Sequence, residues 1–124
     1  MPKTVLLIQD NMDCTEIMQA ILEEEGLQAL TPESTQEIHS LPEYDLLIVD
    51  EFSRGKTGCE ICSSLKSKRD KPVLLTSTGI GLTTFSKDCN ADVYLPKPFD
   101  IYTFTSIVKE LLQLHSEKHG TPAL

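Results

Sequence analysis

The feature that most constrains this chain is a set of short apolar runs, each closed by polar residues. Val5-Leu6-Leu7-Ile8 is followed by Gln9-Asp10, and Leu46-Leu47-Ile48-Val49 by Asp50. Val73-Leu74-Leu75 leads into Thr76-Ser77, and Val93-Tyr94-Leu95 into Pro96-Lys97-Pro98-Phe99. None approaches the roughly 20 apolar residues that a membrane-spanning helix takes. The runs lack the strict alternation of a half-exposed strand, as expected of strands covered on both faces.

Between the strands the apolar spacing turns helical. Strands are expected at 4–8, 27–31, 45–50, 73–77 and 92–95. A helix over 13–25 puts Cys14, Ile17, Met18, Ile21 and Leu22 on one side. Asp13 with Glu16 is capping-box-like at its start, and Gly26 suits its end. Ser34 with Glu37 opens a short helix to Leu41, and a third helix runs from Gly58 or Cys59 to Lys68. Gly79, Gly81, Thr83, Thr84 and Asn90 disfavour a helix interior, so the fourth helix is expected to be short or irregular, over Thr83–Cys89. The last helix is capped by Asp100 and buries Phe104, Ile107, Val108, Leu111 and Leu112. Repeated strand-then-helix units predict an α/β, doubly wound parallel sheet with helices on both faces and right-handed crossovers.

At 124 residues the chain is expected to be one domain, with a core over about 4–115 and a loose polar tail over 116–124. A net charge of −8 argues against broad nucleic-acid binding, which needs a basic surface. Residues 1–4 carry no apolar segment of a signal peptide, so a cytoplasmic protein is expected. The four cysteines are then expected as free thiols. Cys59-Glu60-Ile61-Cys62 has the spacing of a redox pair but no second such pair to complete a zinc site. With Ile61 and Leu65 on the same helical face, packing is the better account. His115 and His119, four residues apart, have the spacing of a metal-binding pair, but terminal surface histidines are the better account.

In open parallel sheets, ligands sit at the carboxyl ends of the strands near the topological switch point. Asp10, Asp50, Ser77 and Lys97 all fall at such ends, from four different strands. Carboxylates and a lysine converging on one edge can hold a divalent metal and accept a phosphoryl group. Asp50 with Gly58 eight residues on, Pro72 leading a strand into Ser77, and Lys97-Pro98-Phe99 form an ordered set. By it the chain resembles a two-component response regulator receiver domain, of the single-domain chemotaxis-regulator type, from Thr4 to about His115. That resemblance implies a flavodoxin-like sheet of five strands in the order 2-1-3-4-5. It also implies Asp50 as phosphoacceptor, Asp10 as the carboxylate bound directly to Mg²⁺, and the backbone carbonyl of Phe52 as a further ligand. Ser77 takes the place of the switch hydroxyl, Tyr94 of the switch aromatic, and Lys97 of the lysine that contacts the phosphoryl group. The donor implied is a histidine kinase or phosphotransfer protein. The chain would not be an enzyme in the usual sense, but would catalyse its own phosphorylation and slow dephosphorylation. With no DNA-binding domain and no membrane segment expected, its output would run through protein contacts.

Some residues depart from that pattern. Gln9 replaces the first member of the usual acidic pair, and its carbonyl oxygen still accepts from a metal-bound water. One negative charge fewer predicts weaker Mg²⁺ binding. Ser53 and Arg54 replace the residues common before the glycine. Phe52 shielding the acyl phosphate, and Gly79 offering no side chain to place a water, predict slow self-dephosphorylation. Two rival functions stay open: a phosphorylation-independent interaction module, which Gln9 favours, and a flavin carrier, which the acidic Gln9-Asp10-Asn11-Met12-Asp13 segment disfavours.

Overall fold

The computed structural model describes residues 3–8, 12–31, 43–50, 52–53, 56–57, 70–77, 91–96 and 99–119. In chain order its strands are β1 (Thr4–Ile8), β2 (Gln28–Leu30), β3 (Leu46–Asp50), β4 (Phe52–Ser53), β5 (Lys56–Thr57), β6 (Val73–Ser77) and β7 (Val93–Pro96). Its helices are α1 (Met12–Glu24) and α2 (Ile101–His119). β2, β1, β3, β6 and β7 form one five-stranded sheet in that order, with every pairing parallel. This is the 2-1-3-4-5 order that the resemblance implies. The order reverses between β1 and β3, so their carboxyl ends flank the switch point.

Side-chain alternation sorts the apolar runs into two faces. Val5, Leu7, Leu46, Ile48 and Leu74 join Met18 and Leu22 of α1 and Phe104, Val108, Leu111 and Leu112 of α2 in one core cluster. Leu6, Ile8, Leu47, Val49 and Leu75 alternate with them and are also no more than 2% exposed. Both faces are therefore closed to solvent, which is why these strands need no polar alternation. The helices expected over 34–41, 58–68 and 83–89 lie outside the described residues, as does the Cys59/Cys62 pair.

Local chemistry explains where the helices begin and end. At the end of α1, Gly26 sits at φ 81°. Its N–H donates to the Glu23 carbonyl at 3.0 Å, and the Leu27 N–H donates to the Leu22 carbonyl at 3.0 Å. These two bonds are the Schellman pair, and only a residue tolerant of the left-handed region closes it without strain. At the start of α2, the Thr103 N–H donates to Asp100 Oδ1 at 2.6 Å and the Thr103 hydroxyl to Oδ2 at 3.0 Å. Asp100 is thus the cap expected. Lys109 of α2 pairs at 3.0 Å with Glu25, the residue just past the end of α1.

Four details differ from expectation. Ile17 is 60% exposed rather than packed. Around a helix of 3.6 residues per turn, Ile17 lies about 100° from Met18 and about 140° from Leu22, outside the stripe that those two centre. α1 starts at Met12, so Asp13 stands in the first turn, where it complements the helix dipole, rather than at the cap. α2 runs on to His119, past Ser116, because no glycine or proline interrupts it before Gly120. The residues after Asp50 form a small antiparallel ladder, with Phe52 opposite Thr57 and Ser53 opposite Lys56.

Candidate functional site

The acids at the two edges of the sheet do different work. At the amino edge, Asp45 accepts the Thr4 N–H on Oδ2 at 2.7 Å and returns its own N–H to the Thr4 carbonyl at 2.7 Å. Asp92 treats Val73 in the same way, accepting its N–H at 2.7 Å and donating to its carbonyl at 3.0 Å. Each carboxylate closes the backbone of a neighbouring strand, and its presence is explained by that. Asp50 stands at the opposite, carboxyl edge, half-buried at the last position of β3. No strand start needs capping there.

Beside Asp50 the register places Thr76, its Cα partner across β3 and β6. The Thr76 hydroxyl donates to Asp50 Oδ1 at 2.8 Å. The expected switch hydroxyl, Ser77, is one residue further along β6 and pairs with Pro96 of β7. Thr76 enters from the sequence only as a flank of Ser77, one residue of register away. Its signal in the sequence is a hydroxyl where an apolar strand has no other use for one, in register with the acid.

Past the end of β7, the described chain resumes with a core contact. Phe99 stacks on Phe104 of α2, with ring centroids 5.4 Å apart and planes 15° from parallel. Phe104 is fully buried and Phe99 packs against the same cluster. The residue two positions after Lys97 is thereby anchored in the core.

Of the expected site residues, Asp50 is described in full, whereas Phe52 in β4, Ser77 in β6 and Tyr94 in β7 are described by their backbone. Gln9, Asp10 and Lys97 lie outside the described residues. Ile8 and Pro96, which precede Gln9 and Lys97 in the sequence, end β1 and β7 at the same edge as Asp50. Among the described residues no group of three or more His, Cys, Asp and Glu side chains is assembled for a metal ion. The Asp50 carboxylate at this edge is the kind of hard oxygen donor that Mg²⁺ takes. Among the described residues no helix is long and apolar enough to cross a membrane.

Comparison with protein-family models gives no match. Over 131 aligned positions the chain is 27% identical to the transcriptional regulatory protein CpxR of Escherichia coli K12, covering 97% of this chain and 56% of that protein. The chain thus spans about half the length of that relative. The receiver domain of a signal transduction histidine kinase from Syntrophus aciditrophicus superposes with a TM-score of 0.83 at 27% identity, covering 98% of both chains. The response regulator protein TrrA of Thermotoga maritima, solved with Mg²⁺ and beryllium fluoride, superposes with a TM-score of 0.75 at 27% identity, over 88% of this chain and 98% of that one. Sheet order, an acid at the switch-point edge and these likenesses agree: the chain has the receiver-domain fold of two-component response regulators and is similar to them over nearly its whole length.

Proposed function

We propose that this chain is a cytoplasmic receiver that accepts a phosphoryl group on Asp50 from a histidine kinase or a histidine phosphotransfer protein. The observation that carries the proposal is the placement of Asp50 at the carboxyl end of β3, beside the switch point, while Asp45 and Asp92 are spent on backbone at the other edge. In this proposal the Asp50 carboxylate attacks phosphorus, and the Lys97 ammonium balances the charge of the phosphoryl oxygens. Ser77 donates to one of those oxygens once transfer is complete, and Tyr94 turns toward the space that Ser77 vacates. Both movements shift populations between existing states and carry the signal to a protein partner. Asp10, Asp50 and the Phe52 carbonyl would hold Mg²⁺, with Gln9 reaching it through a water. When bound, the ion offsets the negative charge that opposes attack by a carboxylate. The protein contributes positioning: a strand end that holds Asp50, a neighbouring hydroxyl, and an aromatic packed in the core two residues after the lysine.

The test is direct. Incubated with Mg²⁺ and acetyl phosphate, the wild type is expected to gain one base-labile phosphoryl group by intact mass, and Asp50→Asn none. Chelation of the metal is expected to stop labelling. Label on both proteins would show another acceptor. Gln9 favours a second reading, a phosphorylation-independent interaction module. No label on the wild type, under conditions that label an active receiver, would establish that module instead.

A further inference from the structure

Thr76 is the buried polar side chain among the described residues, 1% exposed, and it is placed by the fold rather than by a loop. It pairs with Asp50 in the parallel register at the carboxyl ends of β3 and β6. Alternation from Ile48 and Leu74, both in the same core cluster, puts Asp50 and Thr76 on one face of the sheet. A hydroxyl carries one proton, and this one is directed to Oδ1 at 2.8 Å. A strand that reads Val73-Leu74-Leu75 gains nothing in packing from a hydroxyl at the next position. Burying one is unfavourable unless it is bonded. The acid is the partner that makes it tolerable.

We propose that Thr76 is a positioning residue that gives the two oxygens of Asp50 different fates. Resting on the reading of Asp50 as phosphoacceptor, Oδ1 is held by Thr76 and stays the carbonyl oxygen, and Oδ2 is the nucleophile. In the forward step Oδ2 forms a bond to phosphorus, the donor's bond to phosphorus breaks, and its electron pair leaves with the donor, as acetate from acetyl phosphate. In hydrolysis a water oxygen attacks phosphorus and the bond to Oδ2 breaks. The pair then returns to the carboxylate, and both water hydrogens leave with the phosphate.

This arrangement sets a bias. Before transfer the Thr76 hydroxyl donates to a charged carboxylate, and after it to a neutral carbonyl oxygen. Hydrogen bonds to charged acceptors are roughly twice as strong as neutral ones. Thr76 therefore stabilises the unphosphorylated acceptor more than the acyl phosphate. It also favours the hydrolytic transition state, in which negative charge returns to the carboxylate. Thr76 shortens the lifetime of the phosphoryl group, working against the slow hydrolysis expected from Phe52 and Gly79.

The experiment compares wild type, Thr76→Val, Thr76→Ser and Asp50→Asn, labelled with acetyl phosphate and Mg²⁺, then desalted and followed by intact mass. Thr76→Val is expected to lengthen the half-life of the acyl phosphate by about 3- to 10-fold and to raise the labelled fraction at steady state. Thr76→Ser, which keeps the donor, is expected to restore both to wild-type values. A second readout needs no metal and no turnover. The Asp50 side-chain carbonyl resonance, assigned by its disappearance in Asp50→Asn, is expected to move in Thr76→Val and stay in Thr76→Ser. A role in packing alone would lower stability and leave the half-life unchanged. Should Thr76→Val not fold, Thr76→Ala carries the same expectations. A labelled wild type with an unchanged half-life in the valine or alanine variant overturns the inference and leaves the acceptor intact. So does a serine variant that behaves like valine. A wild type that takes no phosphoryl group overturns the acceptor and the inference together.

Discussion

The Phe99–Phe104 stack can be tested as a pair, first as a source of stability and then for the proposed role of Lys97. The rings lie 5.4 Å apart at 15°, with Phe104 fully buried and Phe99 two residues beyond Lys97. Truncation of a buried Phe to Ala typically costs about 3–5 kcal/mol. That is a large share of the roughly 5–15 kcal/mol that holds a domain together, so leucine is the better probe. Phe99→Leu, Phe104→Leu and the double variant form a cycle in which burial is mostly retained and the ring contact is lost. Aromatic pairs of this separation contribute about 0.5–1.5 kcal/mol beyond their buried area. For a chain of this size a change of 1 kcal/mol moves the melting temperature by roughly 3–5 °C. The double variant should therefore melt roughly 2–7 °C above the additive sum of the two single losses. The assay is thermal unfolding by circular dichroism, with urea unfolding as a check. A second arm follows acetyl phosphate labelling of folded Phe99→Leu. It is expected to slow by at least about 3-fold, since misplacing a positioning group by 1 Å can cost about 100-fold. Additive melting would refute the ring contact as a source of stability. A measured coupling with wild-type labelling would refute its service to Lys97.

Other perturbations have definite outcomes. Gly26→Ala should cost about 1–2 kcal/mol in urea unfolding, because the left-handed backbone penalises Cβ. With nothing within 4 Å of the added atom, Gly26→Asn should cost less than Ala. Asp45→Ala and Asp92→Ala should each lose about 1–3 kcal/mol, since each leaves a strand-start N–H without its acceptor. The two sites share no partner, so the double variant should be additive to within about 0.5 kcal/mol. The Thr103 backbone N–H, and then its hydroxyl, hold the Asp100 carboxyl below the usual carboxylate range. A lowered folded value means stability fully present above the unfolded value of about 3.9 and lost as pH falls through the folded one. The stability difference between wild type and Asp100→Asn should thus be constant above about pH 5 and shrink in more acidic solution.

Much of the fold was legible because the apolar runs leave little choice. Runs without alternation have to be covered on both faces, and helical spacing between them forces parallel connections. The limits expected for β1 and β6 coincide with those observed; β3 differs by one residue at one end, and β2 and β7 by one residue at each end. The α2 stripe was legible for the same reason, with Phe104, Val108, Leu111 and Leu112 all buried. Ile17 was misplaced because hydrophobicity alone does not fix the centre of a stripe. That centre depends on where Met18 and Leu22 meet the sheet. The two-residue strands after Asp50 carry no periodicity that a sequence of their length can display.

The site divides along the same line. Residue type announces an acid at a strand end, but all three of Asp45, Asp50 and Asp92 border strands in the sequence. What separates them is direction. Asp45 and Asp92 precede their strands, where an exposed N–H needs an acceptor, and both supply one. Asp50 ends its strand, at the edge where no strand of the sheet begins and no strand-start N–H calls for an acceptor. Parallel strands thus give the side chain a backbone-closing use at one edge, and at the other edge they set it beside Thr76, where the proposed chemistry would take place. Thr76 extends the rule to hydroxyls: register alone, set by apolar pairs such as Ile48 with Leu74, brings it level with Asp50. A one-residue slip of β6 would hand that position to Ser77. The identity of the hydroxyl at the acid is therefore decided in the core, by pairs two and three residues back along the same strands.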